Sequence, residues 1–439
     1  MSIETKKAIL SERNQVFEPD FKVQLVESCS LENGILRLTN EEKILYEEIF
    51  QRNDELISFF IPASGSGSRM FAFLYKWLED RIETEEIQSF FKNIERFPFF
   101  KELKTDQKDK VLIVNEIVEN YAHIPKGLIP FHSHKDNLKT AFQEHVDQIN
   151  HFFGEKSKIH FTVQKEFERD IMKNIGENFS VSFSFQNDET NAYCFDENQD
   201  VVKVDGDFLR RPAGHGALLE NLNEIKANIV VLKNIDNVQH FTKASIFKST
   251  TQQLIGILIS FKEELKELIA NFSVENIGKL NKKYPFLFPD DVSKISKEDL
   301  ENFSQRPTRV CGMVQNEGEP GGGPFWISSE NQLNNQIIEK SQIDFENDNQ
   351  KNTVNESSHF NPVFIAISKT DINGKQLDLM KFRDDSKFFV VEKNHEGKNI
   401  FYRELPGLWN GSMSNWNTLF VEIPLEVFTP VKSVLDLIE

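Results

Sequence analysis

The chain has 439 residues and a formal net charge of −18, and 39% of its residues are hydrophobic. This length can bury a large core and predicts two or three domains. The acidic charge disfavours broad binding to nucleic acid or to anionic membranes, because polyanions are repelled. Small anionic substrates remain compatible with it, since they need only a local cluster of Lys and Arg.

The cysteines and the apolar runs predict a cytoplasmic protein. Cys29, Cys194 and Cys311 fall in no paired motif, which is typical of reduced thiols. The first residues lead into no apolar segment, so no signal peptide is predicted. The best apolar run, residues 254–261, is far too short to span a membrane. No membrane partner is therefore expected.

The chain begins with a predicted helical segment over residues 1–55, and the next segment is the most informative. A continuous apolar run over residues 57–62 predicts a buried strand, and a loop of Gly and Ser follows it. The loop ends at Arg69 and opens into a helix predicted over residues 71–80. Such a strand–loop–helix unit can bind phosphate, because glycines let backbone N–H groups approach the oxygens and the helix dipole favours an anion.

Two familiar phosphate loops do not match this segment. A Walker A loop needs Gly-Lys-Ser/Thr, whereas Gly67 is followed by Ser68 and Arg69. A dinucleotide-binding loop needs a third glycine where Met70 stands. An ordinary turn between a strand and a helix therefore remains an alternative interpretation of this segment.

Residues 124–134 contain Pro and Gly and are predicted to form an exposed loop. This loop carries His132 and His134, but no Cys or Glu motif accompanies them, so we do not predict a metal site there. A helix is predicted next over residues 138–150. Strands are then predicted over residues 158–164 and 181–186.

A second glycine loop over residues 210–218 precedes a short apolar strand over residues 229–232. Strands that alternate with helices predict a mostly parallel α/β sheet, with ligands at the carboxyl ends of the strands. Residues 240–305 are predicted to be helical. We expect flexible loops over residues 318–326 and 346–358, and strands over residues 309–314, 363–367, 388–392 and 419–423.

Seven short motifs occur in a fixed order along the chain. They are Ser64-Gly65-Ser66-Gly67-Ser68-Arg69, Pro125-Lys126-Gly127, residues 137–143, residues 212–217, Ile235-Asp236-Asn237, residues 336–339 and residues 428–432. Together they resemble the motifs of the UDP-sugar pyrophosphorylases, the group that contains UDP-N-acetylhexosamine pyrophosphorylase. That group has the motif Gly-Gly-x-Gly-Thr-Arg, and this chain has Ser64 at the position of its first Gly and Ser68 at the position of its Thr. The segments 63–65 and 316–326 depart from that group and resemble a bacterial domain-of-unknown-function family, family 4301.

The resemblance implies a nucleotidyltransferase-like fold of the GT-A, Rossmann-like type. This fold is an α/β three-layer sandwich with a mostly parallel, mixed central sheet. We expect a helical N-terminal extension over residues 1–55, a nucleotide-binding α/β core over residues 56–310, and a sugar-side and C-terminal α+β part over residues 311–439. The implied enzyme is Mg²⁺-dependent and joins an NTP, such as UTP, to a sugar-1-phosphate, giving an NDP-sugar and pyrophosphate.

The resemblance also implies site residues. Arg69 is expected to bind the β- and γ-phosphates through its planar guanidinium group. Lys126 is expected to bind the α-phosphate, and Lys432 the sugar phosphate. Asp236 is expected to bind the Mg²⁺ ion. The expected nucleotide-binding residues are Ala63, Ser64, Gly65, Ser66, Gly67, Ser68, Gly214, His215 and Gly216. The expected sugar-binding residues are Asn237, Glu339 and Asn361.

Two alternatives remain open at this stage. The serines in the first loop are compatible with a binding protein that has kept the fold without the catalysis. Residues 316–326 are compatible with a transferase that acts on a different phosphorylated acceptor, in which this block would determine specificity.

Overall fold

The structure is a computed structural model that describes residues 2–18, 23–31, 33–106, 108–135, 137–176, 179–284, 287–288, 291–318, 322–329 and 332–438. The α-helices of these residues are α1 (Ile3–Phe17), α2 (Asn40–Gln51), α3 (Ala72–Asp80), α4 (Glu85–Lys92), α5 (Lys110–Tyr121), α6 (Ala141–Phe153), α7 (Glu168–Ile175), α8 (Leu218–Glu224), α9 (Ser245–Ala270), α10 (Val274–Lys283), α11 (Lys297–Ser304) and α12 (Asp348–Asn355).

The strands, in chain order, are β1 (Leu25–Ser28), β2 (Ile35–Leu36), β3 (Ile57–Pro62), β4 (Pro130–His134), β5 (Asn137–Thr140), β6 (Ser157–Thr162), β7 (Val181–Ser184), β8 (Ala192–Tyr193), β9 (Lys203–Val204), β10 (Asp207–Phe208), β11 (Arg210–Arg211), β12 (Ile229–Lys233), β13 (Thr308–Gln315), β14 (Gly323–Ser329), β15 (Gln332–Ile338), β16 (His359–Phe360), β17 (Phe364–Ser368), β18 (Phe389–His395), β19 (Lys398–Glu404) and β20 (Asn417–Glu422).

The chain folds as two compact units, each built from separated segments. Unit 1 consists of residues 1–55, 186–231 and 251–423, and unit 2 of residues 56–185, 232–250 and 424–439. These spatial units are interleaved along the chain and differ from the three consecutive parts predicted above. The functional division into those three parts stays a prediction.

Unit 2 contains a parallel sheet that carries the first glycine loop. Strand β3 pairs in parallel with β6, and β6 pairs in parallel with β7. The first five residues of β3 are all buried, as expected for a parallel strand covered on both faces. The same unit holds the antiparallel hairpin of β4 and β5. The strands predicted from the apolar runs are thus confirmed in this unit.

Unit 1 contains a mixed sheet. Strand β13 pairs in parallel with β20 and antiparallel with β17, and β2 pairs in parallel with β20. A second, antiparallel sheet joins β1, β14 and β15. The predicted α/β class with parallel and antiparallel strands is therefore confirmed.

Three local predictions are wrong. Residues 1–55 contain β1 and β2 besides two helices. The segment 346–358, expected to be a flexible loop, contains helix α12, which begins at an Asn347 cap. Part of the expected loop 318–326 belongs to β14, while Glu319, Pro320 and Gly321 lie outside the described residues.

The segment 124–134 is also not the exposed loop that was predicted. It contains a short 3-10 helix and strand β4, and Gly127, Ile129 and Phe131 are buried. A Cβ atom on Gly127 would lie 2.5 Å from the Phe142 ring, so the glycine serves close packing rather than an open turn. Within the described residues, none of the helices combines the length and the apolarity that crossing a membrane requires.

Candidate functional site

The first glycine loop and the Pro-Lys-Gly segment are joined by backbone hydrogen bonds in unit 2. The Gly67 N–H donates to the Ile124 carbonyl at 3.1 Å, and the Lys126 N–H donates to the Gly65 carbonyl at 3.1 Å. Two motifs that lie about sixty residues apart in the sequence thus form one local structure. Lys126 is held beside the loop that follows β3.

The two glycines of this loop have different surroundings. A Cβ atom on Gly67 would lie 2.9 Å from Ile129 Cδ1 and 3.1 Å from the Tyr121 carbonyl oxygen, so Gly67 is needed for packing. A Cβ atom on Gly65 would have no neighbour within 4 Å. Gly65, Ser66, Ser68 and Arg69 are exposed, whereas Ala63 is buried and Ser64 is partly buried. The open side of the loop is therefore the Gly65–Ser66 side.

Lys126, Asp236 and Lys432 form one charge cluster in unit 2. Asp236 Oδ2 lies 2.9 Å from Lys126 Nζ and 3.1 Å from Lys432 Nζ. The side chains of Lys126 and Asp236 are both 13% exposed, whereas that of Lys432 is 57% exposed. The structure thus brings together three of the predicted site residues from distant parts of the sequence.

The electrostatics of this cluster reflect burial and charge together. Burial alone would raise the pKa of Asp236, but the ammonium groups of Lys126 and Lys432 hold it below its usual value. Burial lowers the pKa of Lys126, and the attraction of Asp236 only partly opposes this effect. These three side chains together carry a positive charge when all of them are ionised. The nearby carboxylate of Asp436 partly offsets this charge, because it also attracts the Lys126 ammonium group.

Asn237 positions the C-terminal segment, and its contact with a sugar stays a prediction. It is 1% exposed, and its Oδ1 accepts a hydrogen bond from the Thr429 N–H at 2.9 Å. The Val431 N–H donates to the Asp236 carbonyl at 2.9 Å. These bonds fix the segment that carries Lys432 against the loop that carries Asp236.

Helix α6 supports the same loop through His145. This residue is 1% exposed, and burial together with the charge of Lys233 lowers its pKa to about 3. The neutral ring therefore keeps its hydrogen on Nε2, which donates to the Ile235 carbonyl at 3.1 Å. Lys233 itself is buried at the end of β12, with Nζ 4.6 Å from the centre of the Phe247 ring, and burial lowers its pKa to about 7.

The low pKa of Lys233 gives a testable pH dependence. Between pH 7 and the ordinary lysine value of 10.5, the unfolded chain binds a proton at this site that the folded chain does not. The free energy of unfolding therefore rises with pH in this window, by at most about 1.4 kcal/mol per pH unit. Between pH 7.5 and 9.5, the free energy of unfolding of the wild type should rise by about 2 kcal/mol relative to that of Lys233→Met. Urea unfolding at the two pH values measures this difference.

The exposed Lys165 of unit 2 provides the control for this measurement. The Lys165→Met variant should follow the wild-type pH dependence. If Lys233→Met also ran parallel to wild type, the assigned shift in the Lys233 pKa would be wrong.

Arg69 does not join the cluster. Its side chain is exposed, and it has no ion-pair partner among the residues that the structure describes. It follows Ser68 at the start of a 3-10 helix that leads into α3. Its predicted contact with the β- and γ-phosphates stays a prediction.

A second cluster lies in unit 1 and combines His215, Trp409 and Glu339. The ring of His215 stacks on that of Trp409, with centres 4.0 Å apart and an angle of 14° between the planes. The Leu408 N–H donates to His215 Nδ1 at 2.9 Å, so the neutral ring carries its hydrogen on Nε2. That nitrogen lies 3.6 Å from Glu339 Oε1. The same oxygen accepts a hydrogen bond from Trp409 Nε1–H at 3.2 Å.

The environment of Glu339 keeps it ionised. Burial alone would raise its pKa, but His215 and Trp409 hold it below the usual value. The fully buried Arg309 donates to the Trp409 carbonyl at 2.6 Å and fixes that residue. The carboxylate can accept a hydrogen bond from a hydroxyl group of a ligand, and the stacked rings beside it can pack against an apolar face of that ligand. The predicted nucleotide residue His215 and the predicted sugar residue Glu339 thus belong to one cluster.

Gly214 and Gly216 pack closely against another segment of the same unit, near Glu404 and Pro406. Gly214 has a φ of +72°, and a Cβ atom there would lie 2.3 Å from Glu404 Oε2. A Cβ atom on Gly216 would lie 2.2 Å from the Pro406 carbonyl oxygen. Both glycines therefore allow their loop to pack against the end of β19 and the residues that follow it, and their predicted contact with the nucleotide stays a prediction.

Asn361 and Glu339 both lie beside Gly322. The Asn361 N–H donates to the Gly322 carbonyl at 2.8 Å, and a Cβ atom on Gly322 would lie 3.4 Å from Glu339 Cγ. Asn361 is 5% exposed, and its Oδ1 accepts from the Val363 N–H at 3.1 Å. This places the two predicted sugar residues of unit 1 beside the same glycine, while the Asn361 side chain caps a turn.

Two features were missed by the sequence analysis. His132 and His134 are not solvated loop residues, because both contact the buried carboxylate of Glu144. Their carboxylate partner, Glu144, lies on α6, the next helix along the chain. The second feature is a polar groove of about 450 Å³ in unit 1. Its lining includes Arg306, Arg383, Lys387, Trp326 and Trp416. Within the described residues, none of the predicted site residues lines this groove.

The donor set at Asp236 is compatible with a magnesium ion held largely by substrate. Mg²⁺ prefers oxygen ligands and usually takes one or two carboxylates together with phosphate oxygens and water. Both lysine contacts of Asp236 are on Oδ2. An ion at this carboxylate would lie close to two ammonium groups, so phosphate oxygens must balance the added charge. The Mg²⁺ ion stays a prediction.

The mixed α/β architecture with the strand–loop–helix unit after β3 is that of a nucleotidyltransferase-like fold. The chain belongs to the family described as Domain of unknown function (DUF4301), whose model matches residues 3–439. A comparison with curated protein sequences finds no match.

Three of the solved structures that this chain matches are the following. UDP-N-acetylglucosamine pyrophosphorylase from Trypanosoma brucei is 13% identical, with a TM-score of 0.51 over 98% of this chain and 71% of that chain. UDP-glucose phosphorylase from Trypanosoma brucei is 13% identical, with a TM-score of 0.49 over 99% and 75%. A UDP-glucose pyrophosphorylase variant from Leishmania major, in complex with UDP-glucose, is 12% identical, with a TM-score of 0.46 over 98% and 74%. The first of these supports the predicted nucleotidyltransferase-like fold.

Proposed function

We propose that this protein is a nucleotidyltransferase that joins an NTP to a sugar-1-phosphate and releases pyrophosphate. The single observation that carries the proposal is the cluster of Lys126, Asp236 and Lys432 in unit 2. Two ammonium groups on one largely buried carboxylate, next to an exposed glycine loop, are suited to a polyphosphate. The shared fold with UDP-N-acetylglucosamine pyrophosphorylase supports this class of reaction.

In the reaction, an oxygen of the sugar phosphate attacks the α-phosphorus of the NTP. A new P–O bond forms as the bond to the β-phosphate oxygen breaks, and pyrophosphate leaves. The nucleophile is already ionised, so no protein side chain has to remove a proton from it. The protein must instead hold two anions in line and stabilise the negative charge on the transferred phosphoryl group.

Each lysine has a part in this mechanism that follows from its position. Lys126 is largely buried and held by the loop contacts, so it supplies a fixed charge for the α-phosphate. Lys432 is more exposed and is carried by the segment fixed through Asn237, which suits it to the phosphate of the incoming sugar. Asp236 keeps both ammonium groups in place. A Mg²⁺ ion bound at Asp236 would supply further charge neutralisation of the phosphates.

Within unit 1, the cluster of His215, Trp409 and Glu339 has features suited to a sugar or a base. Glu339 is ionised and can accept a hydrogen bond from a sugar hydroxyl, and Trp409 offers an apolar ring face that is partly exposed. Stacked rings beside a carboxylate are typical of sites that bind sugars or bases. His215 orients this pair through its stacking and its Nε2 hydrogen.

The test is pyrophosphate release by the purified chain with NTPs, sugar-1-phosphates and Mg²⁺. We expect turnover with one pair of substrates, and Lys126→Met should lower kcat by about 100-fold, since one charge that stabilises the transition state is removed. Lys165→Met, which removes an exposed lysine of the same unit, should leave kcat unchanged. Absence of turnover with every pair would refute the catalytic proposal.

A thermal-shift screen with the same compounds separates catalysis from binding. A ligand at a hundredfold excess over its Kd should stabilise the chain by about 2.7 kcal/mol. Stabilisation by an NTP or NDP-sugar without any turnover would support the alternative, a nucleotide-binding protein that keeps the fold. Loss of this stabilisation in Lys126→Met would place the ligand at the cluster in either case.

A further inference from the structure

We propose that His132, His134 and Glu144 form a binding site for a divalent transition metal of the Zn²⁺ type. The site lies in unit 2 and uses none of the residues assigned above to phosphate binding. It is independent of the proposed transferase activity, because its evidence is the geometry of three side chains from β4 and α6.

The three ligand atoms converge on a small volume. They all lie within 4.8 Å of one another, and His132 Nδ1 is 3.1 Å from Glu144 Oε1. Two ligands of a tetrahedral zinc ion, with bonds of 2.0–2.1 Å, are separated by roughly 3.3 Å. The His132–Glu144 separation therefore already approximates that of two zinc ligands. His134 Nε2 also contacts the same carboxylate oxygen.

The local fold explains why these residues meet. His132 and His134 are two positions apart on β4, so their side chains leave the strand on the same face. The hairpin returns through β5 directly into α6, whose first residue is Ala141. Glu144 lies in the first turn of that helix. A hairpin and a helix that are adjacent in the sequence thus supply all three donors.

The surroundings have the features of a metal site. Glu144 is fully buried, whereas His132 and His134 are 14% and 21% exposed, so an ion can reach the site. Gln148 Nε2 donates to Glu144 Oε2 at 3.0 Å and orients the carboxylate, as outer hydrogen bonds do in metal proteins. The ring of His240 stacks on His134 at 4.2 Å and bonds through Nε2 to the Ser133 carbonyl at 3.2 Å. His240 thereby restricts the rotation of the ligand rings.

The donor set indicates the class of metal. Two imidazole nitrogens and one carboxylate suit Zn²⁺, which commonly takes three protein ligands and one water in such sites. Co²⁺, Ni²⁺ and Cu²⁺ bind the same donors with affinities that follow the usual order for divalent ions. Mg²⁺ prefers oxygen ligands and suits Asp236 instead. The two sites therefore differ in the metals that they select.

The experiment titrates the full, metal-stripped chain with Zn²⁺ by calorimetry and with Co²⁺ by visible absorption. We expect one ion per chain, an absorption spectrum of tetrahedral Co²⁺, and a higher thermal midpoint with Zn²⁺, because the ion joins β4 to α6. The His134→Asn variant should lower the Zn²⁺ affinity by at least about 100-fold, since a direct ligand is lost. His123→Asn, which removes an exposed histidine of the same unit, should bind Zn²⁺ as wild type does.

Asp236→Asn provides a second control, because it alters the phosphate cluster and should leave Zn²⁺ binding unchanged. Circular dichroism of the metal-free variants shows whether they fold, and His132→Asn replaces His134→Asn if the latter does not. The proposal is overturned if the wild-type chain binds neither ion at 100 µM, or if the folded ligand variants bind as tightly as wild type. Neither result would bear on the transferase test.

Discussion

The Asp236→Asn variant is expected to lose about 3 kcal/mol in its free energy of unfolding, more than an ordinary surface substitution costs. Asp236 and Lys126 are both 13% exposed, so their pair is largely buried. The substitution would leave the ammonium groups of Lys126 and Lys432 close together beside a neutral amide. An uncompensated buried charge and the repulsion between like charges both favour the unfolded chain.

Urea unfolding at pH 7.5 measures this effect, with Glu83→Gln as the matched control. Glu83 pairs with Lys110 at 3.1 Å in the same unit, but both side chains are more than 40% exposed, at 43% and 49%. Loss of that surface pair should cost less than about 1 kcal/mol. Equal costs for the two variants would show that the Asp236 cluster is not a buried ion pair.

A double-mutant cycle then tests whether the cost arises from Lys126. The combination of Asp236→Asn with Lys126→Met removes the uncompensated charge, so it should destabilise less than the sum of the single changes. Residues in direct contact show coupling energies of about 0.5–3 kcal/mol. Strict additivity of the two substitutions would contradict the assigned contact. In the activity assay, Asp236→Asn should also lose turnover, because both lysines lose their anchor.

The Gly256→Ala variant is expected to destabilise unit 1 by about 3 kcal/mol, as overpacking in a tightly packed region does. Gly256 lies in α9, and a Cβ atom there would be 2.0 Å from the Tyr46 carbonyl oxygen of α2. The next contacts, at 2.6 Å and 2.9 Å, are also backbone atoms of Tyr46. Because no flexible side chain can move aside, the two helices would have to separate.

Gly278→Ala in α10 is the control with the opposite expected sign. A Cβ atom at Gly278 has no neighbour within 4 Å. Alanine in a helix is normally more stable than glycine by roughly 0.5–1 kcal/mol, so this variant should gain stability. The midpoints of thermal unfolding compare the two variants directly. A gain in both variants would show that α2 and α9 are not in close contact at Gly256.

Local sequence patterns were sufficient for the strands that carry the candidate site. The apolar run 57–62 is β3, and the short run 229–232 falls within β12, because a strand buried on both faces leaves its signature in a few consecutive residues. The same local reasoning failed for residues 124–134. Their Pro and Gly residues predict an open loop, whereas Gly127 makes room for Phe142, which lies on the following helix.

The contacts of His132 and His134 with Glu144 were missed for a related reason. The sequence shows His132 and His134 without a ligand motif beside them, and Glu144 lies ten residues after His134 in a helix. Only the hairpin of β4 and β5 brings that helix back to the strand. A carboxylate supplied by the next element of structure leaves no fixed spacing in the sequence.

The α/β class, the principal strands and the residue types suited to phosphate chemistry could be predicted from the amino-acid sequence alone. These properties follow from hydrophobic periodicity and from short motifs, both of which act over a few residues. The long-range packing of the chain brings charged groups together: Lys432 contacts Asp236 although 196 residues separate them in the sequence. It also assigned Asn237 to holding the C-terminal segment. Such pairings depend on chain packing over long distances, and no local pattern of residues encodes them.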